Sequence, residues 1–424
     1  MYQKSVLSNK LRVISNHLKD RETVAIGIWV GVGGRFEQGP EKGAAHFLEH
    51  VLFRGSLKYS CNDIKGTIEG VGGSLNAFTG EEQTCYYAKI PAAYFDQTMD
   101  ILCDMVFFPL IQKNDLEKER AIILEEIKMY HDLPQYYVLE LLDGLVWPEH
   151  ALGQSLAGTS ESVGAMTQNG LRDFHRRHYA PDNVVVSVCG NFSHEWATGF
   201  LEDKLGNFTS PKKEESDPFK GKQRAPRVNL FRKQIEQTHL AIGFPSLRAA
   251  HPDCFAQAVL NVILGGNMSS RLFDELREKR GLAYSVYSTT KAYRDTGMFM
   301  IKAGVDNKKA LDAVELILRI LKQLRRQGVK PLEFTRAREY FLGQFLIGLE
   351  DTMEHMMWMG ASMIERDRIR TLGEVVCRVN ALTPDDLRRV AADILQEKKL
   401  NLAVVGPLSD EQDKGLRALV HAQA

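Results

Sequence analysis

The sequence predicts an α+β chain made of two similar domains, each a sheet covered by helices on one face. Three observations carry this. The order of elements repeats, since each half runs strand, helix, mixed elements, long helices and a last strand ending at glycine. The stretch from Gly206 to Arg227, GNFTSPKKEESDPFKGKQRAPR, holds three prolines, two glycines and a charge cluster with little apolar periodicity, which reads as a linker. The chain, at 424 residues, is also too long for one ordinary core. The expected domains are 1–206 and 228–424, joined by 207–227.

The elements follow in order. VAIGIWVGVGG (24–34) is a strand-like apolar run, and a helix starts near Gly43. PAAYFDQTMDILCDMVFFP (91–109) and NDLEKERAIILEEIKMYHDL (114–133) have the periodicity of amphipathic helices. VVVSVCGN (184–191) closes the first half. The second half opens with the strand THLAIGFPS (238–246) and the helix DCFAQAVLNVILGG (253–266). It continues through a helix at 311–327 and closes with LNLAVVGP (400–407).

Composition excludes several function classes. Hydrophobic residues are 44% and charged residues 25%, the balance of a globular protein. Lys plus Arg and Asp plus Glu are 54 each, so nothing favours nucleic acid or an anionic membrane as partner. None of the six cysteines forms a C-x-x-C pair, which argues against a thiolate metal site, and so few in a chain this long argue against a disulfide framework. The N-terminal MYQKSVLSNKLRVISN has no apolar signal region, and no apolar run is long enough to span a bilayer. The expectation is a cytoplasmic protein.

The chemistry concentrates in GAAHFLEHVLFRG (43–55). On a helix, His46 and His50 lie one turn apart on one face, which suits two imidazoles on one tetrahedral ion. Glu49 sits ~60° around the axis from His46, able to reach the outer shell of that ion. The remaining positions are apolar nearly all round, so the helix is buried and its polar groups need partners. H-x-x-E-H is the inverted form of the H-E-x-x-H zinc motif. A catalytic zinc needs a third protein ligand and one open position. In the helix from about Leu116, Leu116, Arg120, Ile123 and Ile127 centre the inward stripe. Glu119 and Glu126 then fall together at its edge, and Glu125 points to solvent. Geometry favours the pair Glu119 and Glu126 without choosing between them.

His46-Phe47-Leu48-Glu49-His50, followed 76 residues later by Glu126 in ERAIILEEIKMY, resembles the pitrilysin-type metallopeptidases. Within these it is similar to the subfamily of mitochondrial processing peptidase subunits and their bacterial homologues. The likeness covers nearly the whole chain and includes GGSLNAFTGEEQTCYYAKI (72–90), HYAPDNVVVSVCGN (178–191) and SSRLFDELREKRGLAYSVYS (269–288). It implies two homologous α+β domains, each with a mainly antiparallel sheet covered by helices. It implies one zinc ion per chain on His46, His50 and Glu126, with Glu49 as general base and Glu119 as support. Arg277 and Tyr284 match the residues of the C-terminal half that complete the family's site. SLNAFT (74–79) resembles an edge strand to which an extended peptide adds, beside Asn76, Ala77 and Phe78.

The resemblance thus implies a zinc endopeptidase for short or unfolded peptides, working as a homodimer or with a related subunit, in a prokaryotic cytoplasm. The competing readings are a non-catalytic scaffold or partner subunit of the same fold, and a metal-dependent hydrolase of non-peptide substrates. The completeness of the motif set favours the enzyme. Elsewhere plainer readings hold. DTMEHMMWMGASM (351–363) reads as core or interface packing. LGGNMSS (264–270) lacks the lysine of a phosphate loop and reads as a turn after a helix.

Overall fold

The computed structural model describes residues 2–208 and 214–422. The chain forms two compact units. One comprises Met1–Lys128, Ser155–Asp217 and Leu346–Ile369; the other comprises Met129–Gln154, Pro218–Phe345 and Arg370–Ala424. Of the expected linker 207–227, residues 209–213 lie outside the described residues, and 214–226 carry no helix or strand.

The first unit is built on a six-stranded sheet of β1 (Tyr2–Val6), β2 (Arg12–His17), β3 (Thr23–Val30), β4 (Ser74–Thr79), β5 (Thr84–Pro91) and β6 (Val184–Gly190). Its spatial order is β1-β2-β6-β3-β5-β4, antiparallel except for the β2–β6 pair. The second unit holds β7 (Arg227–Arg232), β8 (Gln237–Pro245), β9 (Ala283–Ala292), β10 (Gly297–Asp306) and β11 (Asn401–Gly406). Their order is β7-β11-β8-β10-β9, and β7–β11 is again the parallel pair. Apart from β1 the two sheets share one topology, as the repeated element order predicts, and each is mainly antiparallel.

Helices cover both faces of these sheets, where one covered face was expected. The cause is legible in β3. Val24, Ile26, Ile28 and Val30 face one core together with α1 (Ala44–Leu52), α2 (Cys61–Glu69) and α3 (Phe95–Phe107). Ala25 and Trp29 face the other way, against Met356, Met359 and Met363 of the helix Thr352–Arg366. A strand apolar at consecutive positions is stable only when both faces are covered. The Met-rich run is therefore core packing. It lies close because a Cβ on Gly360 would fall inside the Trp29 indole.

The second unit repeats this with α5 (Pro134–Val146). Val138, Leu142 and Val146 pack on Ala241, Met298, Met300, Ala403 and Val405. Each sheet thus takes one covering helix from the opposite half of the sequence, which is why the compact units run across the halves 1–206 and 228–424. Among the described residues no helix is long and apolar enough to cross a membrane.

Candidate active site

The H-x-x-E-H segment is α1. Ala44, Ala45, Phe47, Leu48, Val51 and Leu52 are buried, and His46, Glu49 and His50 form the one polar stripe. The helix starts at Gly43, whose φ of +88° is the left-handed conformation that glycine alone adopts without strain. Gly43 has no side chain with which to cap the first N–H groups. The buried Glu37 does so, accepting from Gly43 N and Ala45 N at 2.8 Å each. Burial pushes this carboxyl up to about 8, against the two backbone donors that hold it down.

The third ligand candidate comes from α4 (Lys113–Asp132). Glu126 Oε2 lies 3.7 Å from His46 Nε2 and 3.6 Å from His50 Nε2. One ligating atom from each of these residues falls within 4.8 Å of the other two, the only such cluster among the described residues. Glu119, one heptad earlier, is buried, and its Oε2 lies 2.9 Å from His50 Nδ1. Its other oxygen accepts from Arg54. The structure thus separates the two glutamates that spacing left together: Glu126 faces both imidazoles, and Glu119 holds one of them from behind. A carboxylate on the far nitrogen fixes the tautomer and plane of a ligating histidine. His46 Nδ1 is buried without a hydrogen-bond partner among the described residues, so His50 is the more firmly oriented. Glu125 is exposed, as expected, and it pairs with Lys128.

Burial and the neighbouring His50 pull His46 down to about 4, so it is neutral at ordinary pH. Partial burial would lower His50 too, but the Glu119 hydrogen bond and the surrounding carboxylates reverse that and raise it. Burial is outweighed at Glu119 by His50 and Arg54, which hold it low. Glu49 is raised by burial, against a hydrogen bond from Thr79 Oγ1 to Glu49 Oε2 of 2.5 Å.

Thr79 ends β4, which is an edge of its sheet. Asn76 is exposed on this strand, and its Oδ1 accepts from Ala77 N. Phe78 packs edge-on against Trp29, with ring centroids 5.7 Å apart. A cleft of about 340 Å³ joins the strand to the helix, with Leu75 and Asn76 on one side and Glu49, His50 and Phe53 on the other.

Arg277 and Tyr284 belong to the second unit. Arg277 lies in the π-helical turn Phe273–Glu278, its guanidinium 4.9 Å from the Phe273 ring centre and 5.7 Å from that of Tyr284. Tyr284 is on β9 and 74% exposed, so its phenol is open to a ligand. Sequence reasoning missed Glu37, Arg54 and Thr79. Arg54 alone had a local signal, one helical turn beyond His50.

A paired-histidine helix with its glutamate, a distal carboxylate brought onto both imidazoles and an open sheet edge alongside define the class of inverted-motif metallopeptidases. The comparisons with known proteins agree. Residues 12–160 match the family model described as Insulinase (Peptidase family M16), and residues 165–341 match the one described as Peptidase M16 inactive domain. An uncharacterized zinc protease of Streptomyces coelicolor is 37% identical over 99% of this chain and 92% of its own length. A protease from Helicobacter pylori shares the fold at a TM-score of 0.90 and 20% identity, over 96% of this chain and 99% of its own. A chain of complex III2 from Candida albicans shares it at 0.83 and 17%, over 98% and 99%. The chain belongs to peptidase family M16, as its resemblance to the pitrilysin-type enzymes implied.

Proposed function

We propose that the chain is a zinc-dependent endopeptidase that hydrolyses peptide bonds in short or extended, unfolded peptides. The observation that supports this most is the approach of His46, His50 and Glu126 to within 4.8 Å, beside Glu49. Two imidazoles and one carboxylate suit zinc and leave a coordination position open. His46 is already in the unprotonated form that a metal requires. When bound there, zinc supplies Lewis acidity towards a water and a substrate carbonyl.

The chain's own residues do the rest. Glu49 takes the proton of the attacking water and delivers it to the leaving amine. Its raised pKa brings it nearer neutrality, where such a transfer is efficient. Thr79 fixes which carboxylate oxygen is held, leaving the other for the water. Glu119 keeps the plane of His50. The outer edge of β4 accepts an extended peptide through main-chain hydrogen bonds, with Asn76, Ala77 and Phe78 beside it. Arg277 and Tyr284 are assigned to holding the substrate, Tyr284 by donating to the developing oxyanion. The resemblance extends the proposal to a pair of chains, a homodimer or a heterodimer with a related subunit. The scaffold reading draws on the complex III2 chain and the inactive-domain match. The complete ligand set and its raised glutamate weigh against it.

The test is cleavage of quenched fluorescent peptides by the purified protein and by Glu49→Gln, with zinc measured in both. The proposal expects equal zinc and a kcat lower by about 10²–10⁴ in the variant. Absence of metal from both proteins would sink it.

A further inference from the structure

The second unit carries a groove of about 820 Å³ that the proposed peptidase chemistry does not use. Its walls are the helices Cys254–Gly265, Ala310–Gln327 and Pro331–Glu350 and the turn Phe273–Glu278. That volume falls within the roughly 300–1,000 Å³ of ligand clefts.

The charges around it divide into two sets. Arg271 is spent on Glu333, which it grips through two nitrogens at 2.7 and 2.6 Å. Lys279 and Arg280 are spent on Asp274 and Glu275. Arg319, Lys330 and Arg336 also line the groove, and none of the three has a carboxylate within ion-pair distance among the described residues. Three cations are therefore left over. The groove also presents apolar side chains: Leu332 is 63% exposed, Tyr340 is 39% exposed, and the buried Ile320 lines it too. Gln323 and Gln327 line it as well; Gln323 Nε2 donates to Gln327 Oε1 at 3.1 Å, which leaves Gln323 Oε1 and Gln327 Nε2 to face a peptide main chain.

We propose that this groove docks an acidic segment of a partner polypeptide, one that carries large apolar side chains among its carboxylates. The surplus cations meet the carboxylates, while Leu332 and Tyr340 are covered by the apolar side chains. A nucleic acid fits less well, because its phosphate backbone offers no apolar side chain to cover Leu332, which lines the same groove and is exposed.

The probe is a short fluorescein-labelled peptide of glutamates with interspersed leucines. Its binding is read by anisotropy on full-length chain carrying Glu49→Gln, so that the probe is not cut. Saturable binding that weakens with salt is expected. On the triple variant Arg319→Glu, Lys330→Glu, Arg336→Glu, affinity should drop by about tenfold or more. The same triple change in the otherwise native chain leaves peptide cleavage within about twofold, which shows that it folds. Leu332→Ser lowers affinity several-fold and supports the apolar contact. Unchanged affinity in the triple variant overturns the assignment, as does absence of binding. Equal affinity for an all-glutamate peptide removes the apolar part and overturns it too. Competition by inorganic triphosphate as strong as by unlabelled peptide would make this a small-anion site and also overturn the docking of a polypeptide.

Discussion

The helix that follows β3 in the first unit and the helix that follows β8 in the second occupy the same place in one repeated topology. They carry opposite contents. The first presents His46, Glu49 and His50; the second, CFAQAVLNVILG, has no histidine and no acidic residue. Its polar residues Gln257 and Asn261 are one turn apart, like the two histidines, but they are spent on structure. Gln257 accepts from Leu247 N, and Asn261 Oδ1 accepts from Ser288 Oγ at 2.7 Å. The backbone arrangement therefore does not make the site. Three side chains on one buried helix and one carboxylate from α4 set the first unit apart, and the same scaffold in the second lacks them.

The largest break of that contrast is His46→Ala. It leaves two ligands, and zinc binding and peptide cleavage should both fall below detection, while the second unit's groove still binds its acidic probe. Atomic absorption and the cleavage assay check this. Next come the covering helices, where the units should behave alike. Met356→Ala and Leu142→Ala each remove a buried side chain from the helix covering one sheet, and each should cost about 2–5 kcal/mol in urea unfolding. A large cost in one and none in the other would show that only one of these helices is needed.

The smallest effect sharpens the comparison through Glu37, which caps α1. Glutamine keeps one acceptor and leaves one of the two N–H groups unpaired, a loss of about 1 kcal/mol. The pH dependence is more telling than the loss. With the folded carboxyl raised to about 8, the folded state holds its proton more tightly than the unfolded chain. Stability is greatest below the ordinary carboxylate range and declines as pH rises towards about 8. Glu37→Gln should remove that part of the slope, as thermal melts across the range would show.

Much of this was legible in the residues. The spacing of His46, Glu49 and His50 fixed their shared face, and the heptad between Glu119 and Glu126 placed both beside it. Which of them faces the imidazoles depends on the approach of α4 to α1, a tertiary fact with no local signal. Thr79 and Glu37 escaped for the same reason, since each acts on a segment remote from it in the chain or across a turn. The repeat of strands and helices gave the shared topology. The second covered face of each sheet was signalled by the unbroken apolar run of β3 and by the methionines at 353–363, but only together.

The crossing of helices between halves has a consequence in time. A ribosome makes this chain from the N-terminus, and the outward face of β3, with Trp29, is complete long before Met356 exists. Until residues near 366 emerge, that face has no cover of its own. The N-terminal half must wait exposed, or shielded by a chaperone, through most of the synthesis of the second. Cutting the gene between its apparent halves would make that wait permanent.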